Sequence, residues 1–152
     1  MRDLSNIEAL VGKEIAVSDW MVVDQVMVDA FASVTGDRQF IHVDPEMARE
    51  NGMPGTIAHG FLVLSLLPAL GALQDKDGKL NFGHRVALNY GCDKVRFITP
   101  VSLPSRIRLR SKLHSMKRSA DSAVDVVFAQ TVEIEGHERP AMYAEVIDRL
   151  LF

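Results

Sequence analysis

Cysteine is nearly absent from this chain: Cys92 is the one example among 152 residues. No internal disulfide can form, and no thiolate metal cluster or CxxC redox pair exists. A reducing, cytoplasmic setting is the expectation. An excess of either charge is missing too, since 17 basic residues against 20 acidic ones leave a net charge of −3. That balance offers no attraction to a phosphate backbone or an anionic bilayer, so nucleic acid is not expected as a partner. No apolar run reaches the length of a bilayer span, and the start, MRDLSNIEALVGKEIAVSDW, lacks a basic stretch followed by an apolar one. Neither membrane insertion nor a targeting segment is expected. The five histidines, at 42, 59, 84, 114 and 137, fall into no HxH or HExxH spacing, so a metal site is not expected either. Repeats and low-complexity linkers are lacking as well, which leaves one domain over 1–152, long enough to bury a core of its own.

What is present divides the chain in two, with a first half that reads as helical and a second that reads as β-rich. Asp24 can cap a helix in which Met27, Ala30, Phe31 and Val34 form one buried stripe, with Gly36 ending it. Asp44, Pro45 and Glu46 have the order of N-cap, N1 and N2 of a second short helix that runs out near Asn51 and Gly52. Then comes IAHGFLVLSLLPALGAL, apolar on nearly every face, which predicts a helix wrapped on all sides, kinked or ended near Pro68. From Arg85 onward four extended segments follow. In one of them Ile107 and Leu109 alternate with Arg106, Arg108 and Arg110, so one face is dry and the other wet. The connections between these segments are too short for helical crossovers, so the sheet is expected to be antiparallel. An apolar helix beside an antiparallel sheet with one apolar face predicts an α+β fold in which the sheet wraps the helix.

Two stretches carry the chemistry, FASVTGDRQFIHVD and GTIAHGFLVLSLL. Together they resemble the MaoC-like, (R)-specific enoyl-coenzyme A hydratase family, and NYGCDKVRF adds a likeness to its nodulation-protein-N-like branch. The likeness runs from about Ser18 to the last strand. It implies a hot-dog fold with an antiparallel sheet around a long central helix, a homodimer, and reversible hydration of trans-2-enoyl thioesters to (R)-3-hydroxyacyl thioesters. It also implies that Asp37 and His42 are the catalytic pair. Ser65 matches a serine lining the acyl pocket, and Gly60 matches the glycine at the start of the central helix, near the thioester carbonyl. Gln39 stands where the wider family has Asn, and Phe40 where it has Pro.

The chemistry itself explains why such residues suffice. Hydration of a conjugated thioester takes a proton from water, adds hydroxyl at the β-carbon and returns a proton to the α-carbon. A carboxylate and an imidazole sharing one water can carry both transfers, each such group contributing roughly 10²–10⁴-fold. The carbonyl oxygen turns enolate-like, and free N–H groups at the expected helix start, Ala58, His59 and Gly60, can meet that charge. No cofactor is required beyond the coenzyme A or acyl-carrier thioester that belongs to the substrate. Several of these residues have a plainer reading. Asp37 follows a glycine, and its plainer reading is a turn residue. The ring of His59 can bond a neighbouring carbonyl, and the Ser65 hydroxyl can bond the carbonyl four residues earlier. Arg96 and the row of Arg106, Arg108 and Arg110 could meet coenzyme A phosphates or simply lie in water. An acyl thioesterase and a non-catalytic acyl-thioester-binding protein are the alternatives to a hydratase.

Overall fold

The computed structural model describes residues 3–74, 82–120 and 122–152. In chain order its elements are α1 (Ser5–Glu8), β1 (Glu14–Val17), β2 (Met21–Val23), α2 (Gln25–Thr35), α3 (Phe40–Val43), α4 (Pro45–Glu50), α5 (Gly60–Ser65), α6 (Leu67–Gln74), β3 (Val86–Phe97), β4 (Ser105–Ala120), β5 (Ala123–Ile134) and β6 (Met142–Leu151). The four expected extended segments are β3 to β6, all antiparallel, in the order β4-β5-β6-β3. Two strands in the supposedly helical half complete the sheet: β1 and β2 both pair with β4. They are short runs, EIAV and MVV, whose weak periodicity is completed only by a partner strand.

Period-2 alternation holds along β4, where Ile107, Leu109 and Leu113 are fully buried. The intervening arginines are ion-paired. Arg106 pairs with Glu135, Arg108 with Glu133, and Arg110 grips Glu14 with two nitrogens at 2.9 Å each. Arg108 also lies 4.5 Å from the ring centre of Trp20, a cation–π distance.

The concave face packs on the helices, but the single wrapped helix of the sequence reading becomes two. Pro68 has no N–H, so the carbonyl of Leu64 lacks its usual donor four residues on, and the helix breaks between Ser65 and Leu67. Nor is it covered all round. Leu62, Val63, Leu67 and Leu70 are buried, while Phe61 is 66% exposed and Ser65, Pro68 and Ala72 share its open side. One core cluster joins these helices to Ile107, Leu109, Val132 and Met142. A second fills the far end with Leu4, Ile7, Leu113, Val124 and Val126.

Asp24 caps α2 by accepting from the Met27 amide, and Gly36 closes it at φ +80. The buried stripe is turned from the expected one. Val28 and Ala32 are fully buried with Phe31 partly so, whereas Val34 is 87% exposed. Asp44 accepts from Glu46 and Met47 to start α4, which ends at Asn51.

At the far end of the sheet Asp125 and Arg149 face each other across β5 and β6, joined by two bonds of 2.6 and 2.8 Å, with Tyr90 stacked 3.7 Å from the guanidinium. The hydrogen bonds from Arg149 hold the Asp125 carboxyl below the usual carboxylate range. A depressed native value means that the pair stabilises the fold above the ordinary aspartate value and loses that contribution as pH falls through the native one. Asp125→Asn is expected to cost about 1–3 kcal/mol at pH 7. In thermal melts its deficit against the unaltered chain should shrink below about pH 4; a deficit that stays constant into acid refutes the assignment.

Candidate active site

The ten residues Thr35 to Asp44 are not a plain connector, because α3 forms a turn of helix inside them and carries His42 inward. Gln39 is its N-cap, exposed, and its carbonyl accepts from the His42 amide at 2.9 Å. Phe40 opens the helix, so replacing the family proline leaves an amide where the turn tolerates one. Gly36 in the left-handed conformation reverses the chain after α2 and sets Asp37, half-buried, beside His42, which is 6% exposed.

A third residue joins them. His59, 2% exposed, caps the start of α5, and its ring stacks on that of His42 with centres 3.8 Å apart and planes 24° from parallel. One carboxylate oxygen of Asp37 and one ring nitrogen of each histidine all lie within 4.8 Å of one another. Sequence spacing gave no hint of this meeting, since His42 and His59 belong to different helices. A cluster of this reach has the dimensions to hold one small guest, an ion or a water with several partners.

Hydrogen bonds fix both tautomers. His42 Nδ1 is 2.8 Å from the Ile57 carbonyl, and His59 Nε2 is 2.9 Å from the Asp37 carbonyl. A carbonyl can only accept, so each of those nitrogens carries a proton. His42 is left with a free Nε2 and His59 with a free Nδ1, the latter buried and without a partner among the described residues. The strip Thr56 to His59 carries all of this. Ile57 bonds Ile41 and bridges Ser102, Ala58 donates to Val101, and Thr56 bonds Gln25, which in turn donates to the His42 carbonyl. Ile57 and Gln25 were not picked out from the sequence, and Phe31, whose ring lies 5.0 Å from His59, was expected only as part of a buried stripe. Ile57 contributes a backbone carbonyl, Phe31 packing, and Gln25 a side-chain amide that donates to the His42 carbonyl, and no local pattern announces any of these.

The remaining expected residues are placed elsewhere or otherwise. Gly60 lies against a side chain: a Cβ built there would come 2.7 Å from the Phe97 ring. The Ala58 amide is already used, so the donors left for an anion are those of the first turn of α5. Ser65 donates to the Phe61 carbonyl and also lines a cavity of about 1080 Å³ between α5, α6 and the sheet, walled by Leu64, Pro68, Phe128 and Val146 and by Asp148. Burial pushes the Asp148 carboxyl up. Arg96 is exposed on β3 and bonds the Val95 carbonyl. Among the described residues the side chains of Gln39, Ser65 and Arg96 make no hydrogen bond to Asp37, His42 or His59.

A family model described as "MaoC like domain" matches residues 6–135. The chain belongs to the MaoC-like family. Within it, 3-hydroxyacyl-thioester dehydratase Z of Mycobacterium tuberculosis is 41% identical over 146 residues, covering 96% of this chain and 94% of the relative. Nodulation protein N of Rhizobium leguminosarum bv. viciae is 42% identical over 151 residues, covering 98% and 91%. The fold agrees with that of a MaoC-like dehydratase from Rhodospirillum rubrum, with a TM-score of 0.74 at 17% identity over 95% of each chain. The hot-dog architecture expected of a MaoC-like chain is therefore present, with the broken helix and the two extra strands as its departures from the sequence reading.

The Phe97 ring against Gly60 seats the first turn of α5. Gly60→Ala is expected to lower stability by about 1–3 kcal/mol through overpacking, and Gly60→Ala with Phe97→Leu to recover part of that loss. Equal melting temperatures for Gly60→Ala and the unaltered chain contradict the contact.

Proposed function

We propose that this chain is a hydro-lyase that hydrates trans-2-enoyl thioesters to (R)-3-hydroxyacyl thioesters, or runs the reverse dehydration, with Asp37 and His42 as its catalytic pair. The observation that carries this reading is the fixed tautomer of His42: with Nδ1–H given to Ile57, the ring offers Nε2 as a base beside the Asp37 carboxylate. A water held between them gives up a proton to the pair as its oxygen attacks the β-carbon, and the pair returns a proton to the α-carbon. Atoms balance as one water added, and no cofactor enters the cycle. Both transfers start from one side of the acyl plane, which supports syn addition. The activity in the printed name of the mycobacterial relative, at 41% identity over nearly the full length of both chains, supports the same reaction.

Charge on the thioester oxygen is met by the open amides of the first turn of α5, where one well-placed donor is worth roughly 10²–10³ in rate. The acyl chain has room in the cavity behind Ser65, about 7.5 Å along α5 from Gly60 at 1.5 Å per residue. Asp37→Asn and His42→Ala are each expected to slow the hydration of crotonyl-coenzyme A, followed by loss of enoyl absorbance, by about 10²–10⁴-fold. An unchanged rate in folded variants refutes the pair, and thiol release in place of hydration refutes the reaction.

The working unit is a homodimer joined along β3. This strand ends the sheet with twelve residues and an edge that is unpaired among the described residues, and it exposes Val86, Leu88, Tyr90 and Phe97, the last with its ring 5.5 Å from the open Phe61. An edge of that length with apolar side chains is a pairing surface unless it is covered. Sedimentation equilibrium should give twice the chain mass, and a monomer at micromolar concentration overturns the dimer.

A further inference from the structure

We propose that His59 is a positioning residue of the reaction: its Nε2–H holds Asp37 by the main-chain carbonyl, and its ring is the floor on which His42 stands. The inference rests on the hydratase reading, because it assigns to His59 the placement of both members of that pair.

Three observations carry it. Asp37 follows a chain reversal at Gly36 and has few ties of its own. Among the described residues its amide has only a long 3.4 Å bond to the Thr35 hydroxyl, and the 2.9 Å bond from His59 is the strong one. Without that donor a reversed, half-buried segment is free to shift, and a displacement of about 1 Å at a reacting group can cost 10²-fold. The second observation is the stack. The Ile57 carbonyl fixes one edge of the His42 ring but leaves rotation about that bond open, and the face of His59 at 3.8 Å closes it off. When His42 takes up the proton of water it becomes a cation against a neutral ring face, which is a favourable arrangement. The third is anchorage. His59 is itself pinned by Phe31, whose ring lies 5.0 Å away, and by the strip Ile57–Ala58, bonded to Ile41 and Val101. It therefore joins the loop of Asp37, the helix of His42 and the start of α5 at one fully buried ring.

A donor and a flat face are needed together, and that defines the test. Glutamine can place an N–H near the position of Nε2 without the face; phenylalanine keeps the face without the donor; alanine keeps neither. His59→Ala is expected to lower kcat for crotonyl-coenzyme A hydration about 10²-fold with KM within about threefold, because the substrate contacts remain. His59→Gln should regain about tenfold or more of that loss, and His59→Phe less. Circular dichroism and melting temperature confirm which variants are folded, and at least one of the three should keep the core intact. Independently of turnover, ring ¹⁵N spectra of the unaltered protein should identify His59 as the Nε2–H tautomer and His42 as the Nδ1–H tautomer. An unchanged kcat in folded His59→Ala overturns the proposal. So does an equal loss in all three variants, which would make His59 mere packing, or a His59 proton on Nδ1. If the unaltered protein hydrates no enoyl thioester, the reaction reading fails, and the ring spectra still decide whether His59 holds Asp37.

Discussion

The bond from His42 Nδ1 to the Ile57 carbonyl is the constraint on which the site depends. It joins a four-residue helix that could not stand alone to a strip already bonded into the loop after β3. Because a carbonyl has no proton to give, it settles which nitrogen of the ring is protonated, and with it which nitrogen is left as an acceptor. The strip does this by backbone geometry, so almost any residue could occupy position 57. What cannot vary is its extended conformation, which the bridge to Ser102 enforces.

The same economy shapes the central helix. A continuous apolar helix enclosed on every side would have no room for a ligand. The break at Pro68 and the open side along Phe61, Ser65 and Ala72 leave space against the sheet, and the cavity lies in that space. Two core clusters, one around α5 and α6 and one at the far end of the sheet, flank the cavity instead of filling it. A half-buried Asp148 with a raised carboxyl is a sign that this wall was not built for packing alone, since an apolar residue would be the more stable occupant.

Much of this was legible in the sequence, and the exceptions have physical causes. The four long strands announce themselves through alternation such as Ile107 and Leu109 between arginines, and the caps Asp24, Gly36 and Asp44 are where their chemistry puts them. The family motif located Asp37 and His42. Strands β1 and β2 were missed because three or four residues carry too little period to stand out. The orientation of α2 was misjudged because Val34 looks like core by type, yet the helix meets its neighbours through Val28 and Ala32. His59 was read with its ring bonded to a neighbouring carbonyl, and it is; that the carbonyl belongs to Asp37, 22 residues earlier, is a fact of tertiary structure. Gly60 was expected at the start of the central helix, where it is, but its packing against the Phe97 ring joins residues 37 positions apart, which no local pattern encodes.

The outer face of β4 has a bearing on how the chain finds this arrangement at all. A sixteen-residue strand with a near-uniform alternation of apolar and polar residues can be laid against its neighbours at several offsets of two residues with its dry side still inward. The Arg106–Glu135, Arg108–Glu133 and Arg110–Glu14 pairs distinguish those offsets, because they tie β4 to β5 and to β1 at once. A slide by two residues would leave at least one of the charged partners facing a side chain it cannot bond. The arginine row thus acts as a ruler during sheet assembly, and by setting where β4 stops against β1 it also sets where the N-terminal segment leading into α2, and hence Asp37, enters the fold.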